Sequence, residues 1–127
     1  SEILALERFD DLIETRQFGR GCWLKGKPSE EDARMAREGL EVLREVIEAG
    51  EHRVVILNEA DIATHFGLIK VSDLLELIDI KPDEVELVFT GRKAADELIE
   101  RADLVTEMRE IKHYYAQGVK ARRGIES

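Results

Sequence analysis

One cysteine, Cys22, is all that the 127 residues carry, so an internal disulfide and a cysteine-only metal cage are both excluded. No apolar run approaches the ~20 residues of a membrane-spanning helix, and no signal-peptide pattern opens the chain. The cytoplasm is therefore the expected compartment. Internal repeats and low-complexity segments are absent. Cations are the scarcer charge: 19 Lys and Arg stand against 28 Asp and Glu, a net of −9 that argues against a general nucleic-acid binder. Their distribution is uneven. Residues 109–123 hold Arg109, Lys112, Lys120, Arg122 and Arg123 against Glu110, a net of +4, whereas the first 108 residues carry −12. A basic tail on an acidic body points to a local anion site, phosphate being one fit, rather than to a broad nucleic-acid face.

What is present suits one soluble globular domain: 43% hydrophobic and 37% charged residues in a chain long enough for a real core. Its centre is Arg53-Val-Val-Ile-Leu57-Asn58-Glu59. Four consecutive aliphatics with neither helical nor alternating period predict a strand of a parallel sheet buried on both faces. Polar groups at the carboxyl end of such a strand face the crevice where open α/β sheets bind ligands.

Before that strand, Ile3, Leu4, Leu6, Phe9, Leu12 and Ile13 predict an amphipathic helix from Ser1 to about Glu14. Gly21 to Lys27 reads G-x-x-x-x-G-K, but Pro28 stands where a phosphate-binding loop needs a hydroxyl for magnesium, so this loop is read as a decoy. Ser29-Glu30-Glu31-Asp32 opens a second helix as a capping box, and Gly50 closes it. Gly39 inside that helix costs ~1 kcal/mol and implies close packing.

Beyond the strand, residues 60–67 predict a short helix, with His65 a surface or packing residue because no second His or Cys sits at metal spacing. Ser72 is expected to cap a helix to about Asp79. Val85 to Thr90 predicts a second buried strand ending in Thr90-Gly91-Arg92, then a helix from Ala94 to Arg101. Leu104-Val105-Thr106 predicts a third strand, ending in Glu107. Three strands delivering Glu59, Arg92 and Glu107 along one sheet edge would build a polar ligand site. The class is α/β, with helical crossovers between parallel strands. Residues 109–127 are expected to fold over the crevice and present Lys112 and His113 to an anion, with Tyr114 and Tyr115 either packing or stacking on the ligand.

Leu57-Asn58-Glu59, Thr90-Gly91-Arg92, Ala102 to Met108, Lys112-His113 with Gly118, and Ala121 to Glu126 together resemble the C-terminal motif series of the ATP:corrinoid adenosyltransferases, the P-loop type. The resemblance runs through nearly the whole chain. It implies a partial RecA-like P-loop NTPase fold, a mostly parallel sheet flanked by helices, with the first strand and the P-loop missing before Ser1. It implies transfer of the 5′-deoxyadenosyl group of ATP to the cobalt of a reduced corrinoid, with release of triphosphate, in adenosylcobalamin biosynthesis.

By position, Glu59 and Asn58 match the magnesium-holding strand end, where the family usually has Asp in place of Asn58. Thr90, Gly91 and Arg92 match the motif beside the nucleotide, and Glu107 and His113 fall in the later motifs. Arg92 and Lys112 would stabilise the triphosphate leaving group. Cys22 and Trp23 fall in the loop that meets the corrinoid in some members, with Trp23 its one aromatic. ATP, Mg2+ and a corrinoid are the implied ligands and a homodimer the implied assembly. Lacking the P-loop's charge-assisted hydrogen bonds, at ~1.5–3 kcal/mol each, the chain alone is expected to hold ATP poorly. The alternative is a non-catalytic relative that binds a corrinoid or an anion.

Overall fold

The computed structural model describes residues 2–19 and 27–125. Cys22, Trp23 and residues 21–26 of the decoy loop lie outside them. Backbone contacts divide the chain into two compact units, residues 18–105 and residues 1–17 with 106–127.

The larger unit is built on a capped helix. In α2 (Glu30–Ala49) the Asp32 N–H donates to Ser29 Oγ at 3.2 Å, and the Ser29 N–H donates back to Asp32 Oδ2 at 2.9 Å, the reciprocal bonds of the expected capping box. Gly50 ends the helix at φ 64, its N–H donating to the Ile47 carbonyl. Strand β1 (Val54–Leu57) follows, then α3 (Ala60–His65), α4 (Val71–Ile80), β2 (Glu86–Phe89) and α5 (Asp96–Arg101). The two strands pair in parallel, with Val54 opposite Glu86 and Leu57 opposite Phe89. The protein is thus mixed α/β, a small parallel sheet with helices packed on it, as the sequence led one to expect.

The core lies on one side of that sheet. Val55 and Leu57 turn inward against Ile47 of α2, Leu74 and Leu77 of α4, and Leu98 of α5. The other face is bare. Val54 is 54% exposed, Ile56 61% and Val88 39%, which corrects the expectation of a strand buried on both sides. Four aliphatics in a row carry no period, so the sequence alone could not say which face the helices would take. Leu104-Val105-Thr106 is not a strand either. It pairs with neither β1 nor β2, and Leu104 lies open to solvent. Three residues offer too few ladder bonds to be held by propensity alone.

Two helix boundaries also moved. The chain starts α4 one residue before Ser72, because the Lys70 N–H finds Asp73 Oδ2 at 2.8 Å and that bond sets the cap. α5 starts at Asp96 rather than Ala94. Across the helix layer, Arg44 of α2 forks onto both carboxylate oxygens of Glu76 in α4, at 2.5 and 2.9 Å, and Arg101 of α5 donates to Asp79 at 2.6 Å. The Arg44 fork holds the Glu76 carboxyl below its usual range. These pairs stand in solvent, so they orient the helices more than they stabilise them.

Gly39 explains itself. A Cβ there would sit 2.8 Å from Phe18 Cγ, so the aromatic ring lies directly on the helix backbone. Gly39→Ala gains the helix ~1 kcal/mol of propensity but overpacks Phe18 by roughly 1–3 kcal/mol. The expected result is a lower thermal midpoint for G39A, measured by circular dichroism, that rises again when Phe18→Ala is added. A double variant no more stable than G39A would show that the two residues are not coupled.

In the smaller unit the first helix is shorter than its apolar stripe. α1 (Glu2–Leu6) passes into a 3-10 turn, Glu7–Phe9, and the Leu12 and Ile13 amides both donate to the Phe9 carbonyl. Amphipathic period alone does not sustain a helix of this length; packing must hold its apolar face. Leu4, Phe9, Leu12 and Ile13 are exposed.

Candidate functional site

The carboxyl ends of β1 and β2 meet in a hydrogen-bonded junction. The Thr90 N–H donates to the Leu57 carbonyl at 3.1 Å, extending the ladder one residue beyond β2. The Thr90 hydroxyl then donates to Asn58 Oδ1 at 2.8 Å and accepts from the Glu59 N–H at 3.2 Å. One hydroxyl therefore ties together the two residues that end β1. The sequence placed Glu59, Arg92 and Glu107 along one sheet edge and the resemblance added Asn58, Thr90 and Gly91; the structure brings Asn58, Glu59, Thr90 and Gly91 together, whereas no third strand carries Glu107 and it belongs to the smaller unit.

Backbone strain concentrates at the same place. Glu59 sits at φ 61, ψ 26, and Lys93 at φ 62; they are the two non-glycine residues with positive φ among the described residues. Such conformations cost ~1–3 kcal/mol and are held only where surrounding bonds fix them, which is typical of binding sites. The Glu59 N–H bond to Thr90 is one such restraint. At Lys93 the ammonium donates to His65 Nε2 at 3.0 Å, so His65 is an exposed partner of a lysine rather than a metal ligand. Gly91, at φ 150, lies flat on Asp61. Arg92 follows it, exposed and making no ion pair or hydrogen bond among the described residues, free to meet an anion.

Asp61 is the residue that sequence reasoning missed. It is 6% exposed, the one buried charged side chain among the described residues. The Thr64 hydroxyl donates to its backbone carbonyl at 2.8 Å, but no described group donates to its carboxylate. Burial pushes the Asp61 carboxyl above the ordinary aspartate range, and the negative charge of Glu59 adds to the rise. An acid two residues beyond a strand-end acid was visible in the sequence. That it would be buried beneath Gly91 was not.

The sign of the resulting pH effect follows from the raised value. The folded chain holds the Asp61 proton more tightly than the unfolded chain does, so ionisation destabilises the fold above the raised pKa and ceases to do so below the ordinary one. Asp61→Asn is therefore expected to raise the thermal midpoint at neutral pH without divalent cations. The difference from the parent should shrink as pH falls through that window, followed by scanning calorimetry at several pH values. A pH-independent difference would contradict this account.

As donors, Glu59, Asp61 and Asn58 offer two carboxylates and an amide oxygen. Magnesium takes oxygen ligands and is commonly held by one or two carboxylates together with substrate phosphates, so the set fits magnesium arriving with a polyphosphate. It does not form a complete cage: no cluster of three or more His, Cys, Asp or Glu side chains able to hold a metal occurs among the described residues.

Glu107, Lys112 and His113 belong to the smaller unit, where all three are exposed. There His113 Nδ1 accepts from the Tyr115 N–H at 3.0 Å and caps a 3-10 turn, Tyr114–Gln117, which Gly118 ends at φ 84. The His113 ring packs on Tyr114 at 4.7 Å between centroids, and the Arg122 guanidinium stands 5.5 Å from the centre of the Tyr114 ring. Tyr114 thus has packing partners of its own. No helix among the described residues is long and apolar enough to cross a membrane.

Comparison with known proteins gives the chain its family. The family profile described as "ATP:corrinoid adenosyltransferase BtuR/CobO/CobP" matches residues 1–127. A corrinoid adenosyltransferase of Sinorhizobium sp is 35% identical over 121 residues, covering 94% of this chain and 56% of the relative. One from Pseudomonas aeruginosa is 30% identical over 119 residues, covering 94% and 59%. One from Escherichia coli K12 is 26% identical over 114 residues, covering 90% and 58%. The chain thus spans a little over half the length of these relatives. Because the family profile matches all of residues 1–127, the chain belongs to the ATP:corrinoid adenosyltransferase family.

Proposed function

We propose that the Asn58–Thr90–Glu59 junction and Arg92 form the triphosphate-facing part of an ATP:corrinoid adenosyltransferase. The observation that carries this reading is the strained, hydrogen-bonded meeting of both strand ends, found in a chain of that family. In the reaction the reduced cobalt attacks C5′ of ATP. A cobalt–carbon bond forms, the C5′–O bond breaks, and triphosphate leaves with the bonding electrons. The cobalt is itself the nucleophile, so the protein needs no general base. Its task is to position the triphosphate and stabilise the charge it gathers.

In this reading Glu59 and Asn58 face the magnesium that accompanies ATP, which supplies charge neutralisation when bound. Thr90 and Gly91 shape the nucleotide wall, and Arg92 stabilises the leaving group. The family resemblance also gives Lys112 and His113 an anion-binding role and Glu107 a ligand-binding one. The same resemblance assigns Cys22 and Trp23 to corrinoid binding. The bare Val54, Ile56 and Val88 face supports association with further polypeptide, and sedimentation velocity reads out the homodimer that the family resemblance implies.

The test is adenosylation of a reduced corrinoid by this chain, with and without a polypeptide carrying a P-loop segment. Transfer in the supplemented reaction supports the reading, and a supplemented chain that stays inactive removes it. Asn58 favours a second reading, a corrinoid- or anion-binding relative without catalysis, because an amide lacks the negative charge of the family's usual Asp. Corrinoid binding without magnesium-ATP binding, followed by spectrophotometric titration, would select that alternative.

A further inference from the structure

We propose that His65 is a positioning residue for Arg92, holding through Lys93 the turn from which that guanidinium leaves the end of β2. The role rests on the triphosphate reading for what Arg92 meets. Arg92 is flanked by two uncommon backbone conformations, Gly91 at φ 150 and Lys93 at φ 62. Glycine adopts the first at little cost, but a lysine in the left-handed region is strained and persists only where other bonds hold it. Lys93 makes one side-chain hydrogen bond among the described residues: its ammonium donates to His65 Nε2 at 3.0 Å.

Both sides of this loop rest on one helix. Asp61 and His65 lie four residues apart on α3, which places them one turn apart on one face. Asp61 takes the Gly91 side, where an added Cβ would stand 2.8 Å from Asp61 Cβ. His65 takes the Lys93 side, and Phe66 meets its ring in a T-shaped contact at 5.4 Å between centroids. α3 therefore touches the chain immediately before and immediately after Arg92. An ammonium has donors alone, so His65 must be neutral to offer Nε2 as acceptor; a second ring proton removes the acceptor and sets like charges together. The other charged groups on the two segments that meet here are Glu59 and Asp61 at the start of α3 and Arg92 in the loop. Protonation of His65 thus releases the Lys93 turn while adding a positive charge beside Arg92. The first effect weakens anion binding and the second strengthens it, so the sign separates positioning from plain attraction.

The full chain is followed by heteronuclear NMR between about pH 8 and about pH 5.5, the range in which histidines titrate. Inorganic tripolyphosphate, the leaving group itself, is titrated by calorimetry at both ends of that range. In the parent, the Arg92 and Lys93 amide resonances are expected to move with the His65 ring protons. In His65→Gln, whose side-chain oxygen still accepts but does not titrate, they should stay near the parent's high-pH positions. Glu59 and Asp61 titrate alike in both chains, so the comparison isolates the imidazole. At the high end His65→Ala is expected to bind tripolyphosphate about 3–10-fold more weakly than the parent, and H65Q to recover most of that loss. Falling pH should weaken the parent relative to H65Q. Circular dichroism checks that both variants fold.

Arg92 and Lys93 amides that ignore the His65 titration, H65Q no better than H65A, or a parent that gains on H65Q as pH falls would each overturn the assignment. Amides that follow His65 in a chain that binds no tripolyphosphate support the positioning of Arg92 and remove the triphosphate reading. Tripolyphosphate binding that H65A leaves unchanged does the reverse, rejecting His65 and keeping that reading.

Discussion

Replacing Gly91 by alanine is expected to lower the stability of the chain by about 2–4 kcal/mol, the larger part from contact and the rest from strain. At φ 150 an L side chain is strained before it touches anything. Its Cβ would then meet Asp61 Cβ at 2.8 Å and the Asp61 N at 3.1 Å, and the backbone of a helix cannot step aside as a flexible side-chain end can. Relief requires α3 to shift, which would pull Glu59 away from Thr90. Denaturant unfolding reads the loss. Adding Asp61→Ala to G91A should recover the Cβ–carboxylate part of the contact but not the strain. A G91A chain as stable as the parent would show that the two strand ends are less closely joined than described.

The capped helix was legible in the sequence because its determinants are local: Ser29, Asp32 and Gly50 set their own hydrogen bonds whatever surrounds them. Both longer strands and their polar ends were legible for a similar reason, since a short aliphatic run bounded by turn residues has few other uses. The face of the sheet was not. Val54 and Val55 are chemically alike, and only the arrival of α2, α4 and α5 on one side distinguishes them. Leu104 to Thr106 looked like a strand because β-branched propensity describes a residue that fits a sheet, not one that has found a neighbour.

At the strand ends, position pointed to Glu59 and Arg92 and the family resemblance added Asn58, Thr90 and Gly91, while Asp61 escaped. Its importance lies in burial against a glycine thirty residues away, a relation with no local signature. Strain at Glu59 and Lys93 escaped for the same reason, because neither residue type announces a positive φ.

Arginine 92 bears the largest expected effect on chemistry. Triphosphate departs with negative charge that was shared with carbon a moment before, so a cation placed at the leaving oxygens acts more strongly in the transition state than on bound ATP. Arg92 is suited to that role by what surrounds it. It stands between Gly91 and the positive-φ Lys93, and no carboxylate among the described residues competes for its guanidinium. Its five donors suit phosphate oxygens better than a lysine ammonium does.

In the supplemented transfer reaction, Arg92→Ala is therefore expected to lower kcat by about 10²–10³-fold with a much smaller change in KM for ATP. Arg92→Lys should recover part of the rate, since it restores the charge but not the fork. Stopped-flow measurement of corrinoid adenosylation separates the two parameters. A variant that raises KM and leaves kcat intact would assign Arg92 to ground-state binding of ATP. A variant that changes neither would move the leaving-group role away from the β2 end altogether.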